Sequence, residues 1–363
     1  METMTSVLFE EINIGSAVIK NRFVRSATHE WLAEENGRLT EPIFKTYERL
    51  AKGDVGLIIS GYSFVSRCGK GSPGQQGIYD DGLIDGYKRL SQVVHENGLK
   101  LFVQIVHCGR SALVCTDCPA PIAPSALPIP GTKMNSKAMS DGEVLGMIKD
   151  FVKAVSRVSR SGADGVQLHL AHGFLLSEFI SPYLNRREDD WGGDTERRTR
   201  IVVEILRKAR RENAGFPIAV KMNVTDGVEG GIDLKESVKI AEILDQEGID
   251  AIETSGGIDE APKEITCQKV TRPEEEAYFK QFSRGIKRAV GCPVILVGGL
   301  RSLSVMEDVV SEGYADMISL SRPLIREPTL VKKFMSGRSK TAMCVSCNKC
   351  FDVDGVKCNH TKV

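Results

Sequence analysis

Eight short apolar runs constrain this chain more than any other feature. They occupy 21–26, 55–60, 100–105, 165–170, 217–222, 250–255, 293–298 and 315–320, and a helical stretch follows each one. Apolar strands alternating with amphipathic helices imply a parallel sheet, because each crossover helix must cover a sheet face. Eight such units predict an α/β (β/α)8 TIM barrel more readily than an open doubly wound sheet. The clearest helix covers 141–160, where Val144, Met147, Ile148, Phe151, Val152, Val155 and Val158 recur at helical spacing. Ser140 and Asp141 stand at its capping position. Gly53, Gly98, Gly162, Gly248 and Gly313 are placed to stop helices ahead of the next strand. No Gly/Ser-rich linker interrupts the pattern. The expectation is one barrel over 1–340, with a long third connection (106–140), and a cysteine-rich tail over 341–363 that is not an independent domain.

Composition removes several function classes. Lysine plus arginine and aspartate plus glutamate both total 48, so no field favours nucleic acid or an anionic membrane. No apolar run approaches the roughly 18 residues that span a bilayer. The N-terminus "METMTSVLFEEINIG" lacks the basic flank and apolar stretch of a signal peptide. A cytoplasmic protein acting on a small molecule is expected. Four of the ten cysteines, Cys344, Cys347, Cys350 and Cys358, fall in the last twenty residues. Without an export signal, reduced thiols or a metal are expected ahead of disulfides.

In a barrel, function gathers where strands end. Those positions read "SATHE", "SGYS", "QIVHCGR", "HLAHGF", "KMNVTDG", "TSGG", "VGGLRS" and "SLSRPL". This set is polar, basic and glycine-rich. Gly298 and Gly299 on the seventh loop and Arg322 on the eighth suggest a phosphate site, since glycine lets backbone N–H groups approach an anion. The plainer reading is a tight turn and a solvated arginine. His169 and His172 close the fourth strand. A zinc-protease pair needs four-residue spacing and a glutamate after the first histidine, and "HLAH" has neither. A structural role for one histidine stays open.

The block "GADGVQLHLAHGFLLSEFISPYLNRREDDWGGDTERRTR" (162–200) resembles the Old Yellow Enzyme family of FMN-dependent oxidoreductases, as do "IKNRFV" (19–24) and "CVSCNKC" (344–350). The likeness is greatest to the barrel part of the 2,4-dienoyl-CoA reductase and trimethylamine dehydrogenase branch. It implies bound FMN. Ala27, Thr28 and His29 would border the ring system, with Gly61 beside it. Gln104 would bond the pyrimidine edge and Lys221 would sit near N1. Gly299, Ser321 and Arg322 would hold the phosphate. His169 and His172 would donate to a substrate oxygen on which charge builds, for about 3 kcal/mol each. Position 174 departs from the pattern: many family members have a proton-donating tyrosine there, and this chain has Phe174. Tyr62, His29, Tyr183 or water would then supply the proton, or the reaction is not simple alkene reduction. His29 and Ala27 also depart from the usual residues. In "NRREDDWGGDTERRTR", Asp190 and Arg197 are expected in loop-shaping ion pairs, with Trp191 packed.

The tail cysteines match the place where the related reductases carry an iron–sulfur cluster, in a contracted spacing. Zinc and a metal-free tail are the alternatives. Cys115 and Cys118 form a candidate redox pair. No nucleotide fingerprint occurs, so NAD(P)H is expected to dock transiently above the flavin, or a partner protein to deliver electrons; a homo-oligomer is also open. The expected activity is ping-pong hydride transfer from NAD(P)H to an enone, enoate or enoyl thioester. The alternatives are an oxidative flavin dehydrogenase or demethylase, a flavin redox sensor, and a colourless phosphosugar-binding barrel.

Overall fold

A computed structural model describes residues 6–350 and 355–360. All eight expected strands are present: β1 (Phe23–Arg25), β2 (Leu57–Ile59), β3 (Lys100–Val106), β4 (Gly165–Leu170), β5 (Ile218–Asn223), β6 (Ala251–Ser255), β7 (Val294–Val297) and β8 (Met317–Leu320). Each pairs in parallel with the next, and β8 pairs with β1, so the sheet closes into a barrel with no free edge among these strands. Helices such as α1 (Glu41–Ala51), α2 (Ile84–His95) and α3 (Asp141–Arg160) cover the outside. A short hairpin, Ile12–Ile14 and Ala17–Ile19, precedes β1.

Alternation along each strand divides the core in two. Leu101, Val103 and Ile105 of β3 and Val166, Leu168 and Leu170 of β4 join the large cluster between sheet and helices. The opposite parity faces the barrel interior. There Val24, Leu57, Phe102, Ala219, Ala251, Ile295 and Met317 pack with Ile14 and Ile19 of the hairpin, which plugs the lower end. Phe102 needs room: a Cβ at Gly165, its register partner on β4, would strike the Phe102 ring. One layer higher the interior turns polar, and this change of layer builds the site.

The loop after β4 is held by ion pairs, as its charges suggested. Arg200 bonds Asp190 at 2.9 Å and lies over the ring of the buried Trp191, while Arg198 pairs with Glu236. Arg197 pairs with Asp194.

Candidate active site

The floor of the site comes from interior positions two residues above the apolar layer. Gln104, Gln167, Lys221, Glu253 and Ser319 stand on β3, β4, β5, β6 and β8, and Ser26 directly follows β1. All are buried. Glu253 Oε1 accepts from the hydroxyls of Ser26 at 2.8 Å and Ser319 at 2.7 Å, with Lys221 Nζ at 3.4 Å. Its Oε2 accepts from Gln167 Nε2 at 2.9 Å. Gln167 Oε1 in turn accepts from Gln104 Nε2 at 2.7 Å. Gln104 Oε1 is buried without a partner. Burial by itself would raise the Glu253 pKa; Lys221 and the three donors outweigh it and hold the carboxyl below its ordinary value.

The wall is built by the turn after β4. His172 (φ +64°) and Gly173 (φ +72°) are both left-handed, which swings the chain sharply toward the barrel axis. His169 Nδ1 accepts the backbone N–H of Ala171 at 3.3 Å, so its proton resides on Nε2. His172 Nε2 lies 2.7 Å from the Ser255 hydroxyl. The two rings are 5.2 Å apart and nearly perpendicular. Burial draws the His169 pKa well below its ordinary value, and His172 and Lys221 lower it further. Burial, then Lys221, takes His172 down to about 3. Both imidazoles are therefore neutral donors or acceptors near pH 7. Phe174 packs edge-on to His169 at 5.0 Å, and Tyr62 lies 5.4 Å from Phe174 and 6.2 Å from His169. Ser72 links Tyr62 to His29: it bonds the phenol and lies 2.8 Å from His29 Nε2. Burial lowers His29 to about 4 and raises Tyr62.

At the far end, Gly298 (φ +134°) and Gly299 (φ +70°) adopt backbone geometry that side chains resist. A Cβ would also approach Tyr278 within 2.9 Å at Gly298 and Val270 within 2.7 Å at Gly299. The neighbouring N–H groups of Arg301 and Ser302 already bond the Glu276 carboxylate, at 2.7 and 2.8 Å. Any further anion is therefore left to Gly298–Leu300 and to Ser321 and Arg322. Arg322 faces the site while bonding Gln268 O at 3.1 Å and Asn348 Oδ1 at 2.6 Å.

Floor, wall and far end enclose one cavity of about 460 Å³. Of the barrel residues expected at the site, all but Gly61 and Tyr183 line it. Gly61 is packed against other residues: a Cβ there would strike Glu30 and come within 2.8 Å of Thr28 O, and its N–H bonds the Tyr47 hydroxyl of α1 at 2.8 Å. Tyr183 packs instead with Leu127, Leu184 and Ile258. Sequence reasoning overlooked Gln167 and Glu253, and also Trp31 and Ser255 in the lining. For Gln167, Glu253 and Ser255 the signal was available as polar residues within the short strand runs "GVQLHL" and "DAIETS".

Cysteine placement corrects two expectations, that the thiols are reduced ahead of forming disulfides and that Cys115 pairs with Cys118. Cys118 forms a disulfide with Cys68, not with Cys115, which is exposed and free. The turn between Cys115 and Cys118 directs the second sulfur inward and the first to solvent. The four tail cysteines line a separate small cavity beside Arg322 and Arg326. Among the described residues, however, no group of three or more His, Cys, Asp or Glu is arranged to hold a metal. Burial raises Cys344, and Cys350 to about 11.

Residues 7–341 match the model of the NADH:flavin oxidoreductase / NADH oxidase family. The chain is 35% identical to an NADH oxidase of Thermoanaerobacter brockii, over 94% of this chain but only 52% of that protein. It is 30% identical to a 4,4'-dithiodibutanoate disulfide reductase of Rhodococcus erythropolis, covering 98% and 95% of the two chains. The old yellow enzyme homologue of Zymomonas mobilis superposes with a TM-score of 0.77 at 26% identity, over 92% of this chain and 94% of that one. With a closed parallel barrel and a cavity at its C-terminal mouth, this chain belongs to the NADH:flavin oxidoreductase / NADH oxidase family.

Proposed function

We propose that this chain uses FMN to pass hydride from NAD(P)H to the β-carbon of an enone, enoate or enoyl thioester. The observation that carries the reading is the unpartnered Gln104 Oε1 on the floor of a cavity also lined by Lys221, with an imidazole pair on its wall. An acceptor and a cation on one floor suit the N–H and carbonyl edge of a flavin pyrimidine, and the left-handed Gly298–Gly299 backbone with Arg322 suits its phosphate. FMN, when bound, accepts and returns hydride at its central ring nitrogen.

The residues around it do the rest. Lys221 supplies positive charge where reduction places negative charge. His169 donates from Nε2 to a substrate carbonyl oxygen, because Ala171 occupies Nδ1. His172 donates from Nδ1 when the Ser255 hydroxyl donates to Nε2. Neutral imidazoles suit this task, since they stabilise an enolate oxygen without surrendering a proton prematurely. Phe174 has no proton to give, and Tyr62 takes that role, with Ser72 and His29 bonded behind it.

The purified protein is expected to be yellow, to bleach anaerobically with NADPH or NADH, and to recover with 2-cyclohexenone. His169→Ala should weaken phenol binding and its long-wavelength band, and Tyr62→Phe should slow only the alkene half-reaction. A colourless protein that no FMN restores would sink the proposal. Bleaching by an amine but not by NAD(P)H would favour the oxidative direction. Since a relative of matching length carries the name of a disulfide reductase, 4,4'-dithiodibutanoate belongs among the acceptors tested.

A further inference from the structure

We propose that Glu253 is a positioning residue that sets the polarity of the cavity floor through a two-amide relay. The proposal rests on the FMN reading above and concerns how that ligand is recognised.

An ionised carboxylate can only accept hydrogen bonds. Glu253 lies 3.4 Å from the Lys221 ammonium and accepts from two hydroxyls and an amide, the surroundings of an ionised carboxylate, and its Oε2 is 2.9 Å from the Gln167 side chain. Gln167 must therefore turn its NH2 toward Glu253. That fixes Gln167 Oε1 on the other side, 2.7 Å from Gln104. Gln104 must then donate, because two amide oxygens do not approach to 2.7 Å. What remains unpartnered is Gln104 Oε1, a buried acceptor on a residue that lines the cavity. Each amide is symmetric in shape and ambiguous by itself; the carboxylate removes the ambiguity two residues away.

The other bonds of Glu253 prevent it from taking a different orientation. Ser26 and Ser319 both donate to Oε1. Lys221 Nζ donates to Ser26 Oγ at 2.9 Å, so the Ser26 proton is committed to Glu253. None of these groups is more than 4% exposed, so water does not offer a substitute for any link. The floor is thus held as an acceptor, matched to a ligand whose ring edge carries N–H. Oxidised flavin carries such an N–H between its two pyrimidine carbonyls.

Glu253→Gln reverses the relay without changing its shape. Its amide keeps an oxygen for Ser26 and Ser319 and turns NH2 toward Gln167. Gln167 then flips, Gln104 flips after it, and the floor presents N–H to the ligand's N–H. Gln104→Glu added to this variant restores an acceptor, because its carboxylate takes the Gln167 N–H and still offers oxygen upward.

The test is titration of apoprotein with FMN, followed by flavin fluorescence, with circular dichroism to establish folding. E253Q is expected to weaken FMN binding roughly ten- to hundredfold, from one lost and one opposed hydrogen bond. E253Q/Q104E should recover most of that loss, whereas Q104E alone, with carboxylate facing amide oxygen, should bind worse than wild type. Should E253Q fail to fold, Gln167→Met breaks the same relay with Glu253 in place and should weaken binding several-fold. A folded E253Q, or Q167M in its stead, that binds FMN as tightly as wild type overturns the relay alone. A wild-type chain that takes up no FMN overturns the cofactor reading and the relay together.

Discussion

Side chains at the site are decided by parity. On β4 apolar residues alternate with Gln167 and His169, and on β6 Glu253 and Ser255 share one parity, which faces the interior. His169 was legible because a histidine at a strand end attracts notice. Glu253 was not, since a single charge in an apolar run reads as noise until the strand's two faces are known. Burial of several histidines has a measurable consequence. Unfolded imidazoles take up protons below about pH 6.5. In the folded state burial holds both His107 and His172 down to about 3. Between those values the unfolded chain binds more protons, so stability falls as pH falls, by up to about 1.4 kcal/mol per unit for each group. Urea unfolding from pH 7 to 4.5 should show this decline, and His107→Asn should flatten it. The comparison cancels opposing groups such as Glu178, which burial pushes up to about 8. Equal slopes for both proteins would count against neutral burial of His107.

Elements were the most readable scale. All eight strand runs became barrel strands, because strongly apolar segments between helix stops have no other way to bury both faces. Helix α3 begins and ends where its periodicity begins and ends, and Ser140 caps it. The cap is reciprocal: Ser140 Oγ accepts from the Glu143 N–H, and Glu143 reaches back to the Ser140 N–H at 2.8 Å. Ser140→Ala is expected to cost about 1 kcal/mol, read as a lowered denaturation midpoint with FMN content unchanged. Gly53 shows the limit of element rules. It was expected as a helix stop, and the left-handed residue there is Asp54 instead. Gly53 is required instead because a Cβ would strike the Pro328 carbonyl, a contact between segments far apart in sequence.

Over the whole molecule, the long third connection is anchored in a way that composition did not suggest. The Cys68–Cys118 disulfide closes a separation of 50 residues between the loops after β2 and β3. In chain-entropy terms such a closure stabilises by up to about 4 kcal/mol. Reduction, or Cys68→Ser, should lower the urea midpoint and raise hydrogen exchange across 106–140 while the barrel strands stay protected. Two protected sulfurs among ten cysteines should be found by alkylation without reductant; ten reactive thiols would contradict the pairing. The tail was read from spacing as an iron–sulfur site, a zinc site or a metal-free segment, and its four cysteines line one small cavity. Sequence by itself determined the barrel, its eight strands, the helix caps and the end of the barrel where chemistry gathers. These follow from local periodicity and from chain direction, which any folded state must respect. Only the tertiary structure decided that Glu253 reaches Gln104 through Gln167, that Gly61 packs against Glu30 and Tyr47, and that Cys118 meets Cys68. Each depends on which strands become neighbours and with what stagger when the sheet closes, and no local pattern encodes that stagger.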